Sequence, residues 1–372
     1  MSDNQRSEKS RRAVTRRALV QGVGLSGAAL LGAGVTRGAL RRSQAQEAID
    51  DAHNHDLDIP VGDALTRNQY GGIYDPPELL DGNALDAHTF PPPRDDLPPG
   101  STREFTLDVV ETHIEISRDL AVYAWTYRLA SEPLVSGGDA SAPVIVHGAG
   151  NGSAPGPILR VKEGDQLRIT LRNRTERAHN LHFHGRHSPQ MDGWEPIPPG
   201  GETVYELTAG PFGVHPYHCH VMPIAQHIAK GMYGALIVDP PEPRPPAQEV
   251  MLMLCGWDPD ESGRSSVATW NGIAGYYGKF PIKVTAGDPV RVYVLNMLEY
   301  EPVGSFHLHA QTFDVFPAGT RLTPAAHTDV ITLGIAERAI LEFTLPERGR
   351  YMFHPHQHHL MERGAMGWFS AI

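Results

Sequence analysis

Cysteine is almost absent from this chain: 372 residues contain two, Cys219 and Cys255. An exported domain stapled by disulfides would hold more, so at most one bridge is available and the fold must rest on apolar cores. Cys255 lies in the run Met251-Leu252-Met253-Leu254-Cys255 and reads as an inert thiol in a buried strand. Cys219 stands between two histidines, where a purely structural role explains little. Basic charge is also short, with 32 Lys and Arg against 43 Asp and Glu. Residues 1–45 alone carry +7, which leaves −18 on the remainder and argues against nucleic acid as a partner. Methionine-rich segments are missing as well. What the chain has in quantity is histidine, 20 residues, together with 38 Gly and 32 Pro.

The first 45 residues read as a secretory leader: basic up to Arg17, apolar and Gly/Ala-rich from Ala18 to Val35, and closing at a small-residue site at Ala45. Thr15-Arg16-Arg17-Ala18-Leu19-Val20 resembles the twin-arginine export signal, a route for proteins that cross the bacterial membrane already folded. Periplasmic or extracellular residence follows as an expectation. The apolar stretch is short and broken by Gln21 and several glycines, so no stable membrane span is expected once the leader is removed. Residues 46–100, rich in Pro, Asp and His, predict an irregular extension. His53 and His55 within it have neither strand context nor a repeat partner.

From residue 101 the chain turns into short β-type runs punctuated by Gly, Pro and Asp, the pattern of a sandwich. A proline-rich linker at 241–248 separates a unit at 101–240 from one at 249–372. The two units repeat each other in order. LRVKEGDQLRITLRN (159–173) parallels IKVTAGDPVRVYVLN (282–296), LHFHG (181–185) parallels FHLHA (306–310), and GVHPYHCH (213–220) parallels GRYMFHPH (349–356). GMYGALIV (231–238) then parallels GAMGWFSA (364–371). Each half is therefore one copy of the same β-sandwich.

Four His-x-His pairs fall at matching places: His182/His184, His218/His220, His307/His309 and His354/His356. On a strand, residues i and i+2 point to one face, so each pair offers two imidazoles to one site. Eight nitrogen donors suit copper better than magnesium or calcium, which prefer oxygen. By the same alternation Cys219 points away from His218 and His220. His179 has the opposite parity from His182 and can share the face of Cys219, with His227 and Met232 following on the next loop. Two imidazoles, a thiolate and a weak thioether form the ligand set of a blue-copper electron-transfer site.

These motifs, HNLHFHG, HCH followed by His227 and Gly231-Met232, FHLHA and HPH, resemble those of the multicopper oxidases from about residue 100 to the C-terminus. The resemblance implies an all-β fold of two tandem cupredoxin-like Greek-key sandwiches and four coppers per chain. His179, Cys219, His227 and Met232 would bind the type 1 copper, and His182 and His307 the type 2 copper. The type 3 pair would fall to His184, His218, His220, His309, His354 and His356. In the second half Gly304, Pro355, Leu360 and Ala365 stand where type 1 ligands would be, so that half would hold only its part of the cluster, as in two-domain oxidases whose blue copper is in domain 1 alone. The loop from Cys219 to His227 is three residues longer than in the usual three-domain laccases and carries Met222-Pro223.

The implied reaction is one-electron oxidation of a phenol, aromatic amine or metal ion near His227, coupled to reduction of dioxygen to water. Asp192, in Met191-Asp192-Gly193-Trp194, matches the family's acidic residue near the type 2 copper and is a candidate proton donor or orienter; an ordinary Asp-Gly turn is the other reading. His187, His215, His327, His358 and His359 match no metal position and are expected to be solvated or to sit behind the ligands. Two-domain relatives complete their clusters between the subunits of a homotrimer, which implies the same here by analogy, with a cluster paired within one chain as the alternative. Two rivals stand beside this reading. Copper nitrite reductases share the two domains and the trimer but carry a catalytic Asp at the position of His182 and no ligand at that of His220. A periplasmic copper carrier or electron shuttle would need fewer than eight convergent histidines.

Overall fold

The computed structural model describes residues 74–77, 91–93, 97–98, 100–130 and 152–372. The leader and most of the extension, His53 and His55 included, lie outside the described residues. Alternating apolar residues and frequent turns give the first half eight strands: β1 (Thr102–Ser117), β2 (Leu120–Leu129), β3 (Ile158–Lys162), β4 (Gln166–Asn173), β5 (His182–Phe183), β6 (Glu202–Thr208), β7 (Gly213–His218) and β8 (Tyr233–Asp239). They form two sheets, ordered β2-β1-β4-β6 and β3-β8-β7-β5. The second half supplies β9 (Gln248–Trp257), β10 (Val267–Trp270), β11 (Ile282–Val284), β12 (Pro289–Met297), β13 (Val303–Leu308), β14 (Phe313–Pro317), β15 (Ala326–Thr328), β16 (Val330–Gly334), β17 (Arg338–Thr344), β18 (Gly349–His354) and β19 (Gly367–Ala371). Its sheets run β10-β9-β12-β17-β14-β15 and β11-β19-β18-β13-β16. Among the described residues three short α-helices follow the strands, α1 (Ile224–Ala229), α2 (Tyr276–Lys279) and α3 (His358–Glu362).

The internal repeat is visible in the pairing. β1 runs parallel to β4 as β9 does to β12, and β3 parallel to β8 as β11 does to β19. Each half is thus a cupredoxin-like sandwich with one core between its sheets. The first core contains Leu107, Leu171, Phe183, Tyr217 and Cys219; the second contains Val292, Phe306, Phe353 and Phe369. A third apolar layer joins the halves, with Val214, Tyr233 and Ile237 of the first packed with Met253, Cys255 and Leu295 of the second. Cys255 is free and fully buried, and burial pushes its thiol up to about 12, as expected of an inert core thiol.

Strand register pairs one of the buried charges directly. Asp108 on β1 lies opposite Arg128 of β2 and Arg172 of β4 and accepts from both, at 2.6 and 2.7 Å. Asp108→Ala should destabilise the protein by about 3–5 kcal/mol, because it removes the carboxylate facing the buried Arg128. Urea unfolding measures this, and a cost under about 1 kcal/mol would contradict the pairing argument.

Candidate metal centre

β7 ends at His218, and the next residue turns its side chain into the core of the first sandwich. Cys219 Sγ lies 3.2 Å from His227 Nδ1 and 3.9 Å from His179 Nδ1, and those two nitrogens are 3.2 Å apart. All three residues are buried, as is Met232. The main chain locks the group: Cys219 N–H donates to the Met232 carbonyl at 3.1 Å, and Met232 N–H to the His227 carbonyl at 3.2 Å. Burial lowers the His179 ring to about 3 and the His227 ring to about 4, so both present lone pairs at neutral pH. Burial also pushes the Cys219 thiol up to about 11. A thiolate there needs a cation, and two neutral imidazoles beside it complete a donor set that fits copper. Cys219 is free, which removes the disulfide reading.

On the opposite side of the same peptide the imidazoles gather. His182 is the register partner of His218, as His307 is of His354 in the second half. One ring nitrogen from each of His182, His184 and His218 lies within 4.8 Å of the other two, and the same holds for His307, His309 and His354. His220 and His356 flank these groups, with ring centroids 5.3 Å from His182 and 5.2 Å from His307. Burial lowers His184 to about 3 and His218 and His354 to about 4, again leaving neutral donors. Strand β5 is shorter than the alternation predicts, since it ends at Phe183, but the His184 N–H still bonds the Pro216 carbonyl at 3.0 Å and extends the ladder.

Main-chain carbonyls orient the rings. Asp192 O and Asp329 O take the Nδ1 atoms of His182 and His307 at 2.7 and 2.8 Å, while Cys219 O and Pro355 O take those of His218 and His354 at 2.9 and 2.8 Å. The Nε2 atoms of these four rings are therefore the metal-facing ones. The Asp192 carboxylate lies 3.5 Å from His182 Nδ1 and 3.8 Å from His187 Nε2.

Several neighbours escape a reading of spacing alone. Asn180 accepts the His220 N–H at 2.6 Å and faces Cys219 Sγ at 3.5 Å; Ser305 does the first task in the second half, taking the His356 N–H at 2.7 Å. Both precede the first histidine of a pair by two residues, a repeat signal that could have flagged them. Of the two expectations for His215, the solvated one does not hold: it is buried, gives Nε2 to the Pro211 carbonyl at 2.7 Å and meets Arg338 of the other half at 3.5 Å. His358 stacks on His356 at 5.4 Å, whereas His327 is exposed and bonded to Asp314. In the second half a side chain at Gly304 would fall 2.6 Å from Leu254 Cδ2, and Leu360 and Ala365 belong to the apolar core. Gly304→His should accordingly lower the melting temperature and leave the copper content unchanged; an unchanged melting temperature would refute the steric argument.

Two family profiles, each described as multicopper oxidase, match residues 139–243 and 244–371. The chain belongs to the multicopper oxidase family. A solved multicopper oxidase is 38% identical over 74% of this chain and 91% of its own, with a TM-score of 0.66. A copper nitrite reductase from Nitrosomonas europaea is 28% identical over 73% of this chain and 94% of its own, at a TM-score of 0.61. Among curated proteins, a copper-containing nitrite reductase from Neisseria meningitidis is 29% identical over 242 residues, 58% of this chain and 62% of the relative. Copper resistance protein A from Pseudomonas syringae pv. tomato is 36% identical over 146 residues, 37% of this chain and 23% of that protein. The chain thus spans about three fifths of the first of these curated relatives and under a quarter of the second.

Proposed function

We propose that this protein is a laccase-like multicopper oxidase: four one-electron donors are oxidised for each dioxygen, which takes up four protons and leaves as two waters. Bound copper would supply the one-electron redox chemistry. His179, Cys219, His227 and Met232 would hold the type 1 copper, His182 and His307 the type 2 copper, and His184, His218, His220, His309, His354 and His356 the type 3 pair. The observation that carries this reading is the equivalence of the halves, His182 against His218 and His307 against His354, with a buried sulfur on the peptide between His218 and His220. That peptide joins the site of electron uptake to the imidazole cluster by one residue on either side. Asp192, whose partly exposed carboxylate lies 3.5 Å from His182 Nδ1, would orient that ring or relay protons from water.

A homotrimer with clusters between subunits is part of the proposal. Among the described residues, ring contacts link the cluster histidines only within each half, and His309 and His356 are exposed on this single chain. Domain 1 of one subunit meeting domain 2 of the next would complete the site. Export by the twin-arginine-like leader, and the division at 101–240 and 249–372, belong to the same reading. The nitrite reductases among the relatives support a second one, a copper nitrite reductase. Histidine at both 182 and 220 favours the oxidase. Copper analysis with oxygen uptake decides: four coppers per chain and four donors oxidised per dioxygen are expected, whereas two coppers per chain with nitric oxide made from nitrite would overturn the proposal.

A further inference from the structure

The turn after β4, residues 173–178, has its shape fixed from inside. Asn173 and Thr175 are both buried. Asn173 Nδ2 donates to the carbonyls of Arg177 and Ile197 at 2.6 and 2.9 Å, and its Oδ1 accepts from the Thr175 N–H and hydroxyl at 3.0 and 2.8 Å. Thr175 Oγ1 in turn accepts the Arg177 N–H at 3.2 Å. This scaffold presents the exposed Arg177, whose guanidinium carbon sits 5.2 Å from the centroid of the Trp125 ring system. The same indole packs against His227 at 4.8 Å and His179 at 5.4 Å. One buried aromatic therefore lies between an outward-facing cation and both imidazoles of the sulfur site.

The charge around this turn runs against that of the chain. Asp108 receives Arg128, Arg172 and Arg174, three cations on one carboxylate. Lys230, 6.0 Å from the Trp125 ring, is matched by Glu261 at 2.7 Å, and Glu111 takes the Tyr123 hydroxyl. Glu176 is the turn's one carboxylate. Arg177 has no ion pair among the described residues. The repeat supplies an internal control: after Asn296 the second half reads Met297-Leu298-Glu299-Tyr300-Glu301, acidic, in the half where Gly304 replaces the ligand histidine. Cationic turn and sulfur site occur together. On a chain of net charge −11, a local positive field speeds the approach of an anion to this spot.

We propose that the Asn173–Arg177 turn is the docking rim for a small anionic electron donor, such as a carboxylated or sulfonated phenol, held by Arg177 beside Trp125. The donor gives up one electron to the centre held by Cys219, and a phenolic donor releases its proton to water. This rests on reading that centre as the type 1 copper. His227 is 4% exposed, so a donor at the surface reaches it through packed side chains rather than by touching the ring.

Anaerobic stopped-flow bleaching of the blue band in the copper-loaded full chain tests the rim apart from dioxygen chemistry. Two outer-sphere reductants serve as probes, anionic hexacyanoferrate(II) and cationic hexaammineruthenium(II). Arg177→Glu should lower the ratio of the anionic to the cationic rate about tenfold or more at low salt, Arg177→Gln less, and Arg177→Lys should restore it. High salt should shrink the difference. A change in copper potential alters both rates together, so the ratio reads charge alone. An unchanged ratio in Arg177→Glu at low salt would overturn the rim, whether both rates fell equally or neither moved. If the wild type bleaches but takes up no dioxygen on reoxidation, the oxidase reading fails while a shifted ratio still supports the rim; a wild type with no blue band sinks both.

Discussion

Cys219→Ser should abolish the intense blue absorption of the proposed type 1 site and leave the proposed cluster's copper bound. Serine is nearly isosteric, so the core around residue 219 keeps its packing and the neighbouring imidazoles keep their orientation through the Asn180 contact to the His220 N–H and the carbonyl of residue 219 itself. What disappears is the sulfur 3.2 Å from His227 Nδ1, and with it the thiolate-to-copper transition and the short covalent route from donor to cluster. Turnover with every donor should fall by about 10³-fold or more, since residues that act as a unit are lost together. Visible absorption and metal analysis on one sample suffice. Retained blue colour would show that Cys219 is not the ligand.

Mixing two inactive chains should restore activity. One chain carries His184→Ala with His218→Ala, which removes donors from the first half-site; the other carries His309→Ala with His354→Ala, which removes them from the second. Each alone forms no complete cluster. Co-expressed, they assort at random around a ring, and about one quarter of the interfaces bring an intact first half against an intact second half. Oxygen uptake should therefore recover to about one quarter of the wild-type value per chain. A cluster built within one chain predicts none, so absence of recovery in mixed trimers verified by light scattering would reject shared sites.

Much of this was legible in the sequence because strand alternation is a local rule. It assigns His182 and His184 to one face, turns Cys219 away from its neighbours, and needs no knowledge of the other strands. The repeat then gave the sandwich pair, and all eight strands of the first half have counterparts in the same sheet order in the second, which adds β14, β15 and β16. Contacts that close over long separations were not legible. Asn180 lies 40 residues from His220 and Ser305 51 from His356, and hydrogen bonds of that reach exist only once β5 has paired with β7 and β13 with β18. Which of the two expectations held for His215 was likewise not legible: the buried ring meets Arg338, 123 residues away in the other half. The absence of a sulfur site in the second half was readable as missing ligands, but the crowding of Gly304 by Leu254 was not.

The apolar layer between the halves, where Val214 and Ile237 meet Met253 and Leu295, bears on how this gene could be cut and recombined. Either sandwich made alone would bare a broad greasy sheet to water and invite aggregation. Grafting the second half onto a foreign blue-copper module would therefore demand matched side chains along that seam as well as the eight imidazoles. Evolution of such chains is constrained to move both barrels as one piece.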